Sequence, residues 1–212
     1  VIDPTVVTFE FLRQRDGTVP EAYASVMEHW PIDLQRGFRI GGMKIPDDAA
    51  AERYKKSYGK MLEFVGIMYK AGIPIVAGTD AISGFTLHSE LEFYVKHSGM
   101  TPVQALQIAT RNGALYSRVS HDRGSITPGK LADLVLVDGD PTTNIADIRR
   151  IALVITQGNV ISPNDIHNTL GIKPFVDNPP GLKAVVKDKV AQRNGDGGAG
   201  LPAIFGSTGH DH

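Results

Sequence analysis

The stretch "GIPIVAGTDAISGFTLHSELEFYV", residues 72–95, decides the fold. Residues 73–78, "IPIVAG", are short, continuously apolar up to their closing Gly78 and preceded by Gly72, the pattern of a parallel strand buried on both faces. The run stops on Asp80. A carboxylate just past a strand is commonly a helix cap or a turn former, and equally can ligate a metal or accept a proton from a bound water.

Upstream, Tyr54, Tyr58, Met61, Leu62, Val65, Met68 and Tyr69 recur at three- and four-residue steps, which predicts an amphipathic helix over about 49–70, with Gly72 closing it. Before that helix lies a long segment, residues 10–50, with a short helix expected around Glu21–His29 and the rest a Pro-, Gly- and Asp-rich loop. Loops of this length in compact domains are usually functional or mobile. The first nine residues, "VIDPTVVTF", are β-branched and read as a buried strand. They open without an initiator Met, so a processed or incomplete polypeptide is expected.

Downstream, a helix starts near His88 with Leu91, Tyr94 and Val95 on one stripe. Thr101-Pro102-Val103-Gln104 announces another, combining an N-cap, a first-turn proline and a reciprocal Gln, and it is expected to reach about Arg118. Strand then follows strand: "LADLVLVDGDP" (131–141) reads as a buried strand, and "ALVITQGNVI" (152–161) as a hairpin over Gly158-Asn159. The pattern therefore changes module near 120–130. Beyond Val176 apolar periodicity is too sparse for a core, and an extended or flexible tail is expected over 171–212.

Composition narrows the function. The 212 residues are 42% hydrophobic, and 22 Lys+Arg against 23 Asp+Glu leave a net charge of −1, which calls for no nucleic-acid or membrane partner. There is no cysteine, so thiolate chemistry and Cys-ligated zinc are excluded, and any metal must be held by His, Asp or Glu. No apolar run nears the roughly 20 residues of a membrane span. A soluble protein is expected, with the choice between cytoplasm and periplasm left open.

Other candidates are weaker. His88 falls on the apolar stripe of its helix, where a core histidine and a site residue are equally reasonable. Glu92, one turn on, makes a His-x-x-x-Glu pair that could chelate but lacks the spacing of the helical zinc-protease motif. Arg36 and Arg39 lie in the long loop, where a guanidinium can clamp a substrate carboxylate, although solvated arginines are commoner. His97, His121 and His167 have no ligand-like spacing and read as solvated. "HDH" at 210–212 follows a Gly-, Ser- and Thr-containing tail with no strand to hold it.

In order, "AGTD" with "LHSELE", "GMTPVQALQIATRNGA", "GSITPGKLADLVLVDGDP" and "VITQGNVI" resemble the C-terminal half of the metal-dependent amidohydrolases, closest to the imidazolonepropionase-like and prolidase-like peptidase branch. The resemblance covers about Val1 to Val160. It implies an α/β fold: residues 1–122 as the last strand–helix units of a (β/α)8 TIM barrel, and 123–170 as C-terminal strands of a small β-sandwich. Val1–Thr8 would be strand seven, Tyr54–Ala71 helix seven and Ile73–Ala77 strand eight. Asp80 would match the aspartate after strand eight, a metal ligand that takes a proton from the attacking water and passes it to the leaving amine. His88 would match the family's histidine in the "LHSELE" segment and support the substrate site; Arg36 and Arg39 stay substrate-binding candidates from their place in the loop alone.

The resemblance implies one or two divalent ions, zinc in type, with most ligands outside this sequence. The family's His-x-His after strand one, its bridging lysine or glutamate, and its later histidines have no counterparts here. A full barrel also takes roughly 250 residues. The implied function is hydrolysis of C–N amide bonds in dipeptides or other small acyl-amino acids, with this chain supplying part of the site and the N-terminal portion of the same protein as its partner. A homo-oligomer is compatible with it. The rivals are a deaminase or cyclic-amide hydrolase of the same superfamily and a non-catalytic scaffold protein of amidohydrolase descent.

Overall fold

The computed structural model describes residues 1–179 except Ser83, and of Phe11 only the backbone. Most of the expected tail, with the His210/His212 pair, lies outside the described residues. The chain divides into two units, Val1–Asp177 and Asn178–His212, and every element named here belongs to the first.

The helices are α1 (Glu21–Ala24), α2 (Ile32–Gly37), α3 (Asp48–Lys70), α4 (Thr86–His97), α5 (Pro102–Gln107), α6 (Gly113–Tyr116) and α7 (Pro163–Thr169). A π-helical turn, Ile108–Asn112, joins α5 to α6, and 3-10 helices cover Val6–Arg13, Met27–His29 and Ile145–Arg149. Strands β1 (Leu134–Val137), β2 (Ile151–Thr156) and β3 (Asn159–Ile161) form an antiparallel sheet in that order.

Local signals act where they stand in the sequence. Asp47 accepts a hydrogen bond from the Ala50 N–H to start α3, and Gly72 (φ +75°) closes it. Thr101 and Gln104 form the reciprocal capping box at α5. The α3–α4 contact needs a glycine. A Cβ on Gly66 would lie 2.2 Å from the Ser98 carbonyl oxygen, while the Ser98 hydroxyl donates to the Leu62 carbonyl at 2.7 Å.

The two parallel strands expected at 1–9 and 73–78 are reduced to a single bridge between Ile2 and Ile75. Ile2 N–H donates to the Pro74 carbonyl at 2.9 Å and Val76 N–H to the Ile2 carbonyl at 3.0 Å. The ladder cannot run further, because Pro4 has no N–H and Thr5 turns into the left-handed region at φ +45°. The chain then coils into the 3-10 helix, with Val6 and Val7 completely buried among Tyr58, Leu62, Leu91 and Tyr94. On the far side of Ile75, the Asn112 amide donates to its carbonyl at 3.0 Å.

Two expectations about the sheet change. Residues 131–141 read as a buried strand, yet Val135 and Leu136 are 53% and 54% exposed, since among the described residues β1 is an edge that pairs with β2 alone. The hairpin forms, but its turn is Gln157-Gly158, both at positive φ, one residue earlier than expected. The Ser162-Pro163 start of α7 went unread in the sequence.

One side chain holds the amino-terminal segment in place. Glu90 on α4, fully buried, accepts the Val6 N–H at 3.0 Å and the Val7 N–H at 2.8 Å, so its carboxylate caps a helix more than eighty residues away. The Tyr58 hydroxyl of α3 adds a bond to the Val6 carbonyl at 3.0 Å. Burial pushes the Glu90 carboxyl up to about 7, against the opposing pull of the two N–H donors. Glu90→Gln keeps the shape but turns an amide N–H₂ towards these donors. A loss of about 1–3 kcal/mol in urea-unfolding stability is expected.

Candidate active site

Asp80 sits where the chain leaves the Ile2–Ile75 pairing. Its backbone takes φ +39°, a conformation Asp tolerates better than most residues. The residues beside it are pinned. The Thr79 carbonyl accepts the Thr8 hydroxyl at 2.7 Å, the Thr79 hydroxyl pairs with that of Thr86, and Ala81 N–H donates to the Thr79 hydroxyl at 3.3 Å. Gly78 leaves room for the Asp3 carboxylate, one oxygen of which would lie 2.2 Å from a Cβ placed there. The Asp80 side chain itself is exposed and has no hydrogen bond or ion pair among the described residues.

It faces an open cleft of about 320 Å³ whose opposite wall comes from the 10–50 segment: Pro20, Tyr23, Phe38 and Ile40. Tyr23, Trp30 and Phe38 pack with ring centroids 4.8–5.5 Å apart, giving that wall a rigid backing. Glu10 anchors it. Its two oxygens accept the Glu21 and Ala22 N–H groups, both at 2.6 Å, and it pairs with Arg13 at 2.6 Å. Burial raises the Glu10 pKa, offset in part by these donors.

The other expected site residues lie elsewhere. Arg36 is exposed and pairs with Asp33 at 3.5 Å, and Arg39 is exposed; neither lines the cleft, although Gly37, Phe38 and Ile40 do. His88 lines a separate small cavity of about 50 Å³ with Phe85, Arg149, His167 and Phe175. Glu92 is no partner for it: Arg149, 7% exposed, takes both Glu92 oxygens at 2.7 and 3.1 Å and also donates to Ser89 Oγ and the Phe85 carbonyl. His97, expected in solvent, bonds to Glu21 at 3.0 Å, and His167 packs near Phe85 and Phe175. Phe175 stacks on His29 at 3.9 Å.

Sequence reasoning missed Glu10, Glu90 and Arg149. For Glu90 there was a signal: it falls one turn from both Thr86 and Tyr94, a charge on the buried stripe of α4. Glu10 and Arg149 carried none: the backbone groups Glu10 holds lie 11 and 12 residues on, outside any helical period, and the partners of Arg149 lie 57 to 64 residues back.

A family model describing the amidohydrolase family matches residues 43–161, more than half of the sequence, and the chain belongs to that family. Its curated relatives include an adenine deaminase of Rubrobacter xylanophilus, 43% identical over 75 residues, covering 34% of this chain and 12% of the relative. An imidazolonepropionase of Flavobacterium johnsoniae is 40% identical over 73 residues, covering 32% and 18%. The chain thus spans a minor part of the length of these relatives. Among solved structures, a Bifidobacterium longum protein described provisionally as a prolidase superposes with a TM-score of 0.51 at 22% identity, over 85% of this chain and 38% of the other, a likeness of fold alone.

Members of the amidohydrolase family are generally metal-dependent. Asp80 is one donor, and no group of three or more His, Asp or Glu side chains able to hold a metal occurs among the described residues. Since a catalytic zinc needs about three protein ligands, the described residues do not by themselves fit a metal. No helix among them is long and apolar enough to cross a membrane.

Burial, then the neighbouring Arg149 charge, push the His88 pKa down from 6.5 to about 4. The fold holds this imidazole neutral, whereas the unfolded chain takes up the proton as pH falls through 6.5. Its contribution is therefore complete above that value and is lost as pH falls towards 4. Comparing His88→Gln with the parent by urea unfolding at about pH 7 and about pH 4.5, the parent's advantage should shrink on acidification by on the order of 2 kcal/mol.

Proposed function

We propose that this chain contributes part of the active site of an enzyme that hydrolyses C–N bonds in small amide substrates, dipeptides or other acyl-amino acids, with Asp80 as the reacting carboxylate. One observation carries the reading: a carboxylate free of internal partners, on a constrained turn at the end of a parallel pairing, facing a walled cleft. Asp80 takes a proton from the attacking water as the oxygen bonds to the acyl carbon. When the C–N bond breaks, the same proton passes to the departing nitrogen. Arg36, on α2, and Arg39, just after it, belong to this reading as exposed groups that meet a substrate carboxylate outside the cleft, and His88 as a support of the loop that follows Asp80.

The Ile2–Ile75 pairing is read as two neighbouring staves of a (β/α)8 barrel, and the β1–β2–β3 sheet as one part of a sandwich. The remaining staves and ligand side chains would come from a further portion of the same protein. A second reading, deamination or cyclic-amide hydrolysis, is favoured by the names of the curated relatives, an adenine deaminase and an imidazolonepropionase.

Asp80→Asn tests the role. Turnover of dipeptide or acyl-amino acid substrates should fall by roughly 10²–10⁴-fold while the unfolding midpoint stays within a few degrees of the parent's. An active Asp80→Asn protein would remove Asp80 from the chemistry. Release of ammonia from adenine, with no amino acid released from the acyl-amino acids, would select the second reading.

A further inference from the structure

The chemistry of the cleft wall says what sort of group can lie against it. Apart from Asp80 and the Tyr23 hydroxyl, the polar side chains of Thr8, Glu10 and Gln14 are committed inside the protein. Both Glu10 oxygens hold backbone N–H groups, the Gln14 amide donates to the Thr18 and Phe38 carbonyls at 3.2 and 2.7 Å, and the Thr8 hydroxyl donates to Thr79. What remains to meet a ligand is chiefly the apolar surface of Phe38 and Ile40, backed by the largely buried Pro20 and Tyr23. Among the described residues no lysine or arginine lines the cleft, and its carboxyls are Asp80 and Glu10. An anionic group entering here would lose its hydration, find no counter-charge and face Asp80. An apolar group would exchange water for a preformed aromatic surface, which costs little ordering.

Tyr23 also brings one polar group to the wall. Its hydroxyl has no hydrogen bond within the described residues, and burial followed by the nearby Glu10 charge raises its pKa, so it stays a phenol and a donor. From these features we infer that the cleft selects substrates carrying an apolar, uncharged side group, aromatic groups above all, and rejects acidic ones. This deepens the proposed hydrolysis and rests on it for the word substrate; the binding preference itself rests on the wall alone.

Trp30 is the only tryptophan in the sequence and packs 5.1 Å from Phe38 and 5.5 Å from Tyr23, so its fluorescence reports occupancy of the cleft without turnover. The purified full chain is titrated with N-acetyl-phenylalanine amide and, separately, with N-acetyl-aspartate amide. Saturable fluorescence change is expected with the first, at a half-saturating concentration at least roughly tenfold below that of the second. Ile40, 69% exposed, can be made Ile40→Asp without touching the core, and that variant should lose the preference. Equal half-saturation for the two probes, no saturable response, or an unchanged preference in Ile40→Asp overturns the inference. Because the readout is binding, it separates this inference from the role of Asp80: an active Asp80→Asn protein that keeps the preference ends the proposed mechanism and leaves the wall as assigned.

Discussion

The grip of Glu90 on the Val6 and Val7 N–H groups is the interaction on which the arrangement depends. A helix of any kind leaves its first N–H groups without internal partners. Here those groups are completely buried, so water cannot serve, and only a side chain reaching in from another element can. With Glu90 in place, Val6 and Val7 enter the core, Tyr58 reaches the Val6 carbonyl, and Thr8 arrives at the Thr79 carbonyl. Each is a condition for the next. The turn bearing Asp80 is thus positioned from α4, through the amino-terminal segment.

Arg149 plays the corresponding part for the sheet-bearing half. Its guanidinium comes from the 3-10 helix before β2 and spends its donors on Glu92, Ser89 and the Phe85 carbonyl, all on or beside the first turns of α4. The Ser89 hydroxyl in turn donates to the Ala22 carbonyl. One buried charge therefore ties the sheet side of the unit to the start of α4 and, through Ser89, to the 10–50 segment. The neutral state of His88 follows first from its burial and then from the Arg149 charge beside it.

What was legible in the sequence was local. The period of α3, its Gly72 stop and the Thr101–Gln104 box all operate within a few residues and were readable as such. "VVTF" was misread as strand because β-branched residues carry that propensity, while the deciding partner, Glu90, lay far along the chain. The 131–141 segment was apolar enough for a buried strand, and its exposure depends on pairing, which composition does not encode. The site divides the same way. Asp80 could be placed from the apolar run that precedes it. The aromatic wall facing it could not, because Tyr23, Trp30 and Phe38 come together only after the 10–50 segment folds over on the anchor of Glu10.

The left-handed backbone of Asp80 narrows its history as well as its geometry. Glycine, asparagine and aspartate enter that conformation readily, and longer side chains do so at a cost. Glutamate would carry the same charge but would strain the turn and push the carboxylate deeper into the cleft. A lineage that needed an acid here had no spare residue to drift through, and one that lost the need would be expected to arrive at asparagine or glycine. The identity of residue 80 in other copies of this turn thus becomes a readable mark of whether the chemistry was kept.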